Sequence, residues 1–138
     1  MNDAPETMSF KQDRFKFLSN MYQHPIIYNG IRYSCSESAY QANKSNPSNL
    51  EICKMNGYEA KKYAKNIKIR DDWDGVKLQI MEDILRIKFS DNYLLQKLKD
   101  IQIDIVENNY WNDRFWGKCN GVGENNLGKI LMKIRDEK

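Results

Sequence analysis

The sequence predicts a helix-rich α+β domain with a small β-sheet, and three stretches carry that prediction. Ile26-Ile27-Tyr28 and Ile31-Arg32-Tyr33 flank Asn29-Gly30, the dipeptide that most readily makes a type I′ turn, so they read as a hairpin. From about Trp73 to Phe89, apolar Val76, Ile80, Met81, Ile84, Leu85 and Ile87 recur at helical spacing, with Lys77, Gln79, Glu82, Asp83 and Arg86 mostly outside that face. Ile101-Gln102-Ile103-Asp104-Ile105 alternates as a half-buried strand does, and the pattern continues into Val106-Glu107.

The remaining elements follow in order. Residues 1–8 are polar with a proline and are expected to form a loose, flexible tail, leaving 9–138 as a single domain. Phe15-Lys16-Phe17-Leu18 reads as a short strand before the turn Ser19-Asn20-Met21-Tyr22. Ser36 to Lys44 reads as a helix opened by a serine cap, with Glu37 in its first turn, where a carboxylate suits the helix dipole. Asn46-Pro47-Ser48-Asn49 breaks the chain and caps a second helix near Leu50–Met55. Gly57 ends that helix, and Tyr58–Lys65 forms a third. A short helix follows Asp91-Asn92, with Tyr93, Leu94, Leu95 and Leu98 inward. After the 101–107 strand, a polar loop from Asn108 to Asn126 leads to a last helix near Leu127–Arg135, with Leu127, Ile130, Leu131 and Ile134 inward. No internal repeat is visible.

Composition narrows the function. At 138 residues, with 41% hydrophobic and 30% charged content, the chain fits one compact domain and is not a disordered polymer. No apolar run approaches a membrane span and no signal-peptide pattern opens the chain, so no membrane partner is expected and cytoplasmic residence is. Cys35, Cys53 and Cys119 are scattered and odd in number, which argues against a disulfide scaffold. With His24 the one histidine and no cysteine pair, the usual zinc sets cannot be assembled, and no metal is expected. A net charge of +3 without Lys/Arg runs permits phosphate contact but does not describe a dedicated DNA reader.

Chemistry-bearing residues concentrate first on the helix after the hairpin. Glu37, Tyr40, Gln41 and Lys44 recur at i, i+3, i+4 and i+7, setting an acid, a phenol, an amide and an amine on one face. Glu37 and Lys44 are about 10 Å apart along the axis, which suits two groups working on opposite sides of a small molecule. A solvated face of ordinary charges is the alternative. Further polar clusters stand at Phe17–Tyr22, at Arg70-Asp71-Asp72-Trp73, at Glu107-Asn108-Asn109 with Asp113-Arg114-Phe115-Trp116-Gly117, and at Gly121–Gly128. Each alone has a structural alternative: an Asx-turn at Asn20, helix-start charges at Asp71 and Asp72, a core anchor at Trp73, loop charges at Glu107 and Asp113.

Their order and spacing together resemble the NADAR, or YbiA-like, family. The motifs are Phe-Leu-Ser-Asn (17–20), Ser-Glu-x-x-Tyr-Gln-Ala-x-Lys (36–44), Arg-Asp-x-Trp-x-x-Val-Lys (70–77), Lys-Phe (88–89), Val-Glu-x-Asn (106–109), Asp-x-Phe-Trp-Gly (113–117) and Asn-x-Leu-Gly-Lys-x-Leu-Met (125–132). The resemblance runs from about Phe10 to Arg135. Met21 stands where many members have an aromatic, and Ser45 where phenylalanine is common; both bear on pocket shape.

The resemblance implies a YbiA-like fold and an N-glycosidase, a hydrolase cleaving ribose from the exocyclic amine of a guanine-like base. One branch of the family acts on ADP-ribose joined to guanine in nucleic acid, and another on riboflavin-pathway intermediates with a ribose-phosphate aminopyrimidine. ADP-ribosylated guanine in DNA is the expected substrate, an RNA adduct or a riboflavin intermediate the alternative; reversal of a toxin's modification or phage defence is the implied setting. By the same resemblance, Lys44 is the amine that forms a Schiff base, Glu37 the acid/base and Asp113 a third catalytic position. Substrate-binding roles fall to Asn20, Tyr40, Gln41, Arg70, Trp73, Glu107, Trp116 and Gly117. A paired-carboxylate route through Glu37 and Asp113 is the second mechanism, and neither requires a cofactor. A module that binds ADP-ribose without cleaving it, or a structural protein, stays open from the residues alone.

Overall fold

A computed structural model of the chain describes residues 8–138; the expected tail lies outside them except for Met8, which is buried. The described residues form a helix-rich α+β protein with two small sheets, grouped into two compact units: 20–90, and 8–19 with 91–138.

The 20–90 unit begins with the hairpin that Asn29-Gly30 predicts. Strands β1 (Ile26–Tyr28) and β2 (Ile31–Tyr33) pair antiparallel with Ile26 opposite Tyr33. Asn29 (φ 52°) and Gly30 (φ 79°) both adopt the left-handed backbone that a type I′ turn requires. Helix α1 (Ser36–Ala42) follows, and its N-cap is Cys35 rather than Ser36: the Cys35 N–H donates to Ser38 Oγ at 3.2 Å. The helix stops at Ala42, so Lys44 lies on the turn that closes it. Asn43 ends the helix by donating from Nδ2 to the Ala39 carbonyl at 2.7 Å, while Lys44 N–H still reaches the Gln41 carbonyl at 3.2 Å.

Of the second expected helix only a 3-10 turn, Leu50–Ile52, forms; Asn49 caps it by accepting from Glu51 N–H at 3.0 Å. Gly57 opens helix α2 (Gly57–Tyr63) instead of ending the turn before it, because Asn56 and Glu59 make a reciprocal capping box. The long helix α3 (Trp73–Lys88) buries Ile80, Met81, Ile84 and Leu85, as the spacing predicts. Helices α2 and α3 both pack against α1, and α3 also packs on β1.

In the other unit, Asp13–Leu18 is a 3-10 helix, not a strand; Phe15, Phe17 and Leu18 are buried all the same. Asp91 caps helix α4 (Asn92–Lys99), accepting from Leu94 N–H at 3.0 Å. Leu94 and Leu98 face inward, but Tyr93 is exposed. The expected strand at 101–107 does not form. Arg135 donates to the Ile101 and Ile103 carbonyls (3.2 and 2.7 Å), and Asn125 Nδ2 to the Ile105 carbonyl at 2.9 Å. Side chains at the two ends of the last helix thus satisfy the backbone groups a partner strand would have taken. The sheet here is the short parallel pair β3 (Asn108–Asn109) and β4 (Lys118–Cys119). Helix α5 (Asn126–Asp136) packs on α4 through the expected Leu127, Ile130, Leu131 and Ile134 face.

Candidate active site

Every side chain of α1 is buried, Glu37 and Gln41 included. A solvated charged face is therefore ruled out for Glu37, Tyr40 and Gln41. Gln41 Nε2 donates to Glu37 Oε2 at 2.6 Å, one turn apart, which fixes the carboxylate's orientation. The Glu37 N–H donates to the Asn20 carbonyl at 2.9 Å, binding the turn before the hairpin to the first turn of α1. Asn20 Oδ1, Ser36 Oγ and Gln41 Oε1 are fully buried and have no hydrogen-bond partner among the described residues. Each such group costs about 1–3 kcal/mol. Buried polar atoms of this kind are matched in folded proteins by an ordered water or a ligand.

Gly57 stands hard against this helix. A Cβ there would lie 3.0 Å from the Glu37 Cβ and overlap the Met21 sulfur. Gly57→Ala is therefore expected to displace Glu37, destabilising the protein by about 1–3 kcal/mol in urea unfolding and lowering turnover with it.

Lys44, half-buried, sits with Nζ 5.6 Å from the Tyr40 ring centre. The Tyr40 and Trp73 rings are themselves in tilted contact, centroids 5.1 Å apart. Burial pushes the Lys44 ammonium below its ordinary range; the Glu37 carboxylate draws it back up, and Lys61 and Lys77 depress it further. The backbone ties Lys44 to the start of α3, since Arg70 N–H donates to the Lys44 carbonyl at 2.7 Å. The Arg70 guanidinium is engaged by Asp72 through two bonds of 2.6 and 2.9 Å, so a substrate anion would have to compete for it.

Lys88 escaped the sequence reading as a site residue, although its spacing from Met81, Ile84 and Leu85 places it on the buried face of α3. It is fully buried, with Nζ 5.5 Å from the Tyr22 ring and 5.3 Å from that of Phe89. Burial pushes its ammonium from 10.5 down to about 7, with Cys35 pulling weakly the other way. Between those two values the unfolded chain holds a proton that the folded chain has released, so stability rises with pH across the window. Lys88→Met is expected to remove a gain of about 2 kcal/mol between roughly pH 7 and pH 9, measured by urea unfolding at each pH.

The remaining expected site residues gather in the other unit. Asp113 is half-buried, and its Oδ1 accepts from Phe115 and Trp116 N–H at 3.1 and 2.9 Å. One carboxylate oxygen thus holds the turn that presents Trp116, whose ring meets Phe115 edge-on at 4.8 Å. Buried Glu107 is held by Asn109 Nδ2, which reaches Oε1 at 3.3 Å, and by its own N–H, which donates to Asn125 Oδ1 at 3.0 Å. Gly117 is where it is because any side chain would collide with Glu107. Asn109 and Asn125 are the organisers here, positions of the motifs at 106–109 and 125–132 to which the sequence assigned no role. Asn125 has left-handed backbone (φ 55°), a conformation asparagine tolerates, and it opens the motif at 125–132.

Among the described residues, no helix is long and apolar enough to cross a membrane. The NADAR domain family matches residues 7–137. The N-glycosidase YbiA of Shigella flexneri is 32% identical over 99% of this chain and 90% of its own length. The riboflavin biosynthesis protein VVA0006 of Vibrio vulnificus is 32% identical over 88% of this chain, which spans 35% of that longer protein. The NMR structure of the Escherichia coli protein YbiA superposes with a TM-score of 0.80 at 29% identity, covering 94% of this chain and 82% of that one.

Proposed function

This chain belongs to the NADAR family, and from that premise we propose that it is an N-glycosidase that frees a guanine-like base from ribose attached to its exocyclic amine, most favourably ADP-ribosylated guanine in DNA. Relatives named N-glycosidase over nearly the full length support the hydrolase class. The observation that carries the reading is the amine of Lys44, lowered in basicity by burial, on the turn that closes the helix of buried Glu37.

A glycosylamine opens to an imine at C1′, and the neutral Lys44 amine adds to that carbon. Glu37 delivers a proton to the departing exocyclic amine as the C1′–N bond breaks, leaving C1′ doubly bonded to Nζ. Water, deprotonated by the Glu37 carboxylate, then adds to C1′. The C1′–Nζ bond breaks, the sugar leaves as an aldehyde that recloses, and Lys44 and Glu37 return to their starting states. Tyr40 and Trp73 supply the aromatic wall for the base, and Asn20 and Gln41 the polar contacts. Asp113, Glu107, Trp116 and Gly117 complete the family's set.

Mass spectrometry of the protein with an oligonucleotide carrying ADP-ribose on guanine, with and without borohydride, tests this. The expected result is unmodified DNA and, with borohydride, a reduced adduct on Lys44. Untouched DNA alongside cleavage of a ribose-phosphate aminopyrimidine would replace the substrate; this second reading is favoured by the name of the Vibrio relative. Cleavage of neither overturns the proposal.

A further inference from the structure

Two further lysines reach the Lys44 site from the helices packed on α1, and the mechanism gives neither a task. Lys77 lies on α3 one turn beyond buried Trp73 and one turn before buried Met81, in the row that runs on through Ile84 to Lys88. Its side chain keeps only 22% of its surface exposed. Trp73 touches the Tyr40 ring, and the Lys44 amine sits 5.6 Å from the centre of that same ring, so Lys77 stands one turn from the aromatic pair beside the amine. Lys61 comes from α2, one turn beyond Gly57, the glycine that stands against Glu37. Lys61 is exposed.

The charges that bear on the Lys44 amine are Glu37 from its own helix, Lys61 from α2 and Lys77 from α3. Arg70, whose N–H bonds the Lys44 carbonyl, has its guanidinium tied to Asp72. Lys77 has a counter-ion of its own, since Nζ donates to Asp74 Oδ1 at 3.3 Å. The Asp74 side chain is 94% exposed, however, so water and salt screen that carboxylate more than the lysine it faces. Two positive charges against one negative surround the Lys44 amine with net positive charge. An ammonium gives up its proton most readily in such surroundings.

We propose that Lys61 and Lys77 are positioning residues for the reaction at Lys44: their positive charges offset the pull of Glu37 and favour the uncharged, nucleophilic amine. Glu37 can then serve as acid/base beside the nucleophile without turning it into an ammonium. Both lysines act through Lys44 and take no chemical step themselves. The inference rests on Lys44 being the nucleophile.

Trace labelling with acetic anhydride across a pH series tests it. Only an uncharged amine is acylated, and peptide mass spectrometry reads Lys44 by itself, whether or not the protein turns over a substrate. In Lys61→Gln, Lys77→Gln and the double variant, loss of a cation makes Lys44 more basic, so its labelling midpoint is expected to move to higher pH. On the acid side of the midpoint, labelling should fall about threefold per charge removed. Lys77→Arg keeps the charge and is expected to restore the wild-type midpoint. Salt at about 1 M, where the Debye length is about 3 Å, should erase the effect of exposed Lys61 and spare most of that of Lys77. The rising limb of activity on the ADP-ribosylated oligonucleotide should move with the midpoint, at unchanged KM. Lys61→Gln alters an exposed position and is expected to fold even where a change at Lys77 does not, and circular dichroism checks both. An unmoved midpoint in Lys61→Gln or in the double variant overturns the proposal. A raised KM with an unmoved limb also overturns it and makes the lysines substrate contacts. A midpoint that moves in protein inactive on both the oligonucleotide and the aminopyrimidine overturns the glycosidase reading and leaves the coupling of the amines standing.

Discussion

Lys44→Ala is expected to lower turnover by about four orders of magnitude, the scale reached when a covalent nucleophile is removed, with ADP-ribose affinity retained. Stability should not fall with it. Burial depresses the Lys44 ammonium, so below its ordinary range the folded protein carries a cost that alanine removes; the lost packing of its stem offsets part of that gain. Single-turnover kinetics, titration and thermal unfolding on one preparation read all three quantities. A variant that unfolds would make Lys44 structural, and one that turns over normally would end the Schiff-base mechanism.

Glu37→Gln is expected to cost about 10²–10⁴ in turnover, the usual worth of a general acid–base group. The fold has good reason to survive, because the bond from Glu37 to the Asn20 carbonyl is made by the backbone N–H. The informative readout is the pH profile of the residual activity. The Glu37 carboxylate draws the Lys44 ammonium up, so its removal drops that group further. The limb on which activity rises with pH, set by deprotonation of Lys44, should move to lower pH. An unmoved limb would mean that Glu37 does not act on Lys44.

Local chemistry explains what was legible in the sequence. The hairpin, α3 and α5 rest on signals contained within a few residues: Asn29-Gly30 for the turn, helical spacing for the faces. The strand expected at 101–107 failed because its alternation is real but its hydrogen-bond partners are Arg135 and Asn125, distant side chains that no local pattern reports. Phe15–Leu18 failed for a related reason, since alternating aromatics bury as well on a 3-10 helix as on a strand. Helix α1 was legible up to its last two expected residues, but its burial was not. A polar face reads as solvent-facing until the helices packed on it, here α2 and α3, are known. Lys88 shows the converse: a lysine is rarely fully buried, yet it lies on the buried face of α3.

The complete burial of α1 has a consequence for how this protein can be re-tuned. A seven-residue helix with no exposed side chain offers no position at which a change is free, so its chemistry is locked together with its packing. Latitude lies at the rim instead. Met21 and Ser45, the two departures from the family pattern, are both half-buried, one against Gly57 and the other directly after Lys44. Such positions can change while the buried acid, amide and phenol of α1 stay as they are.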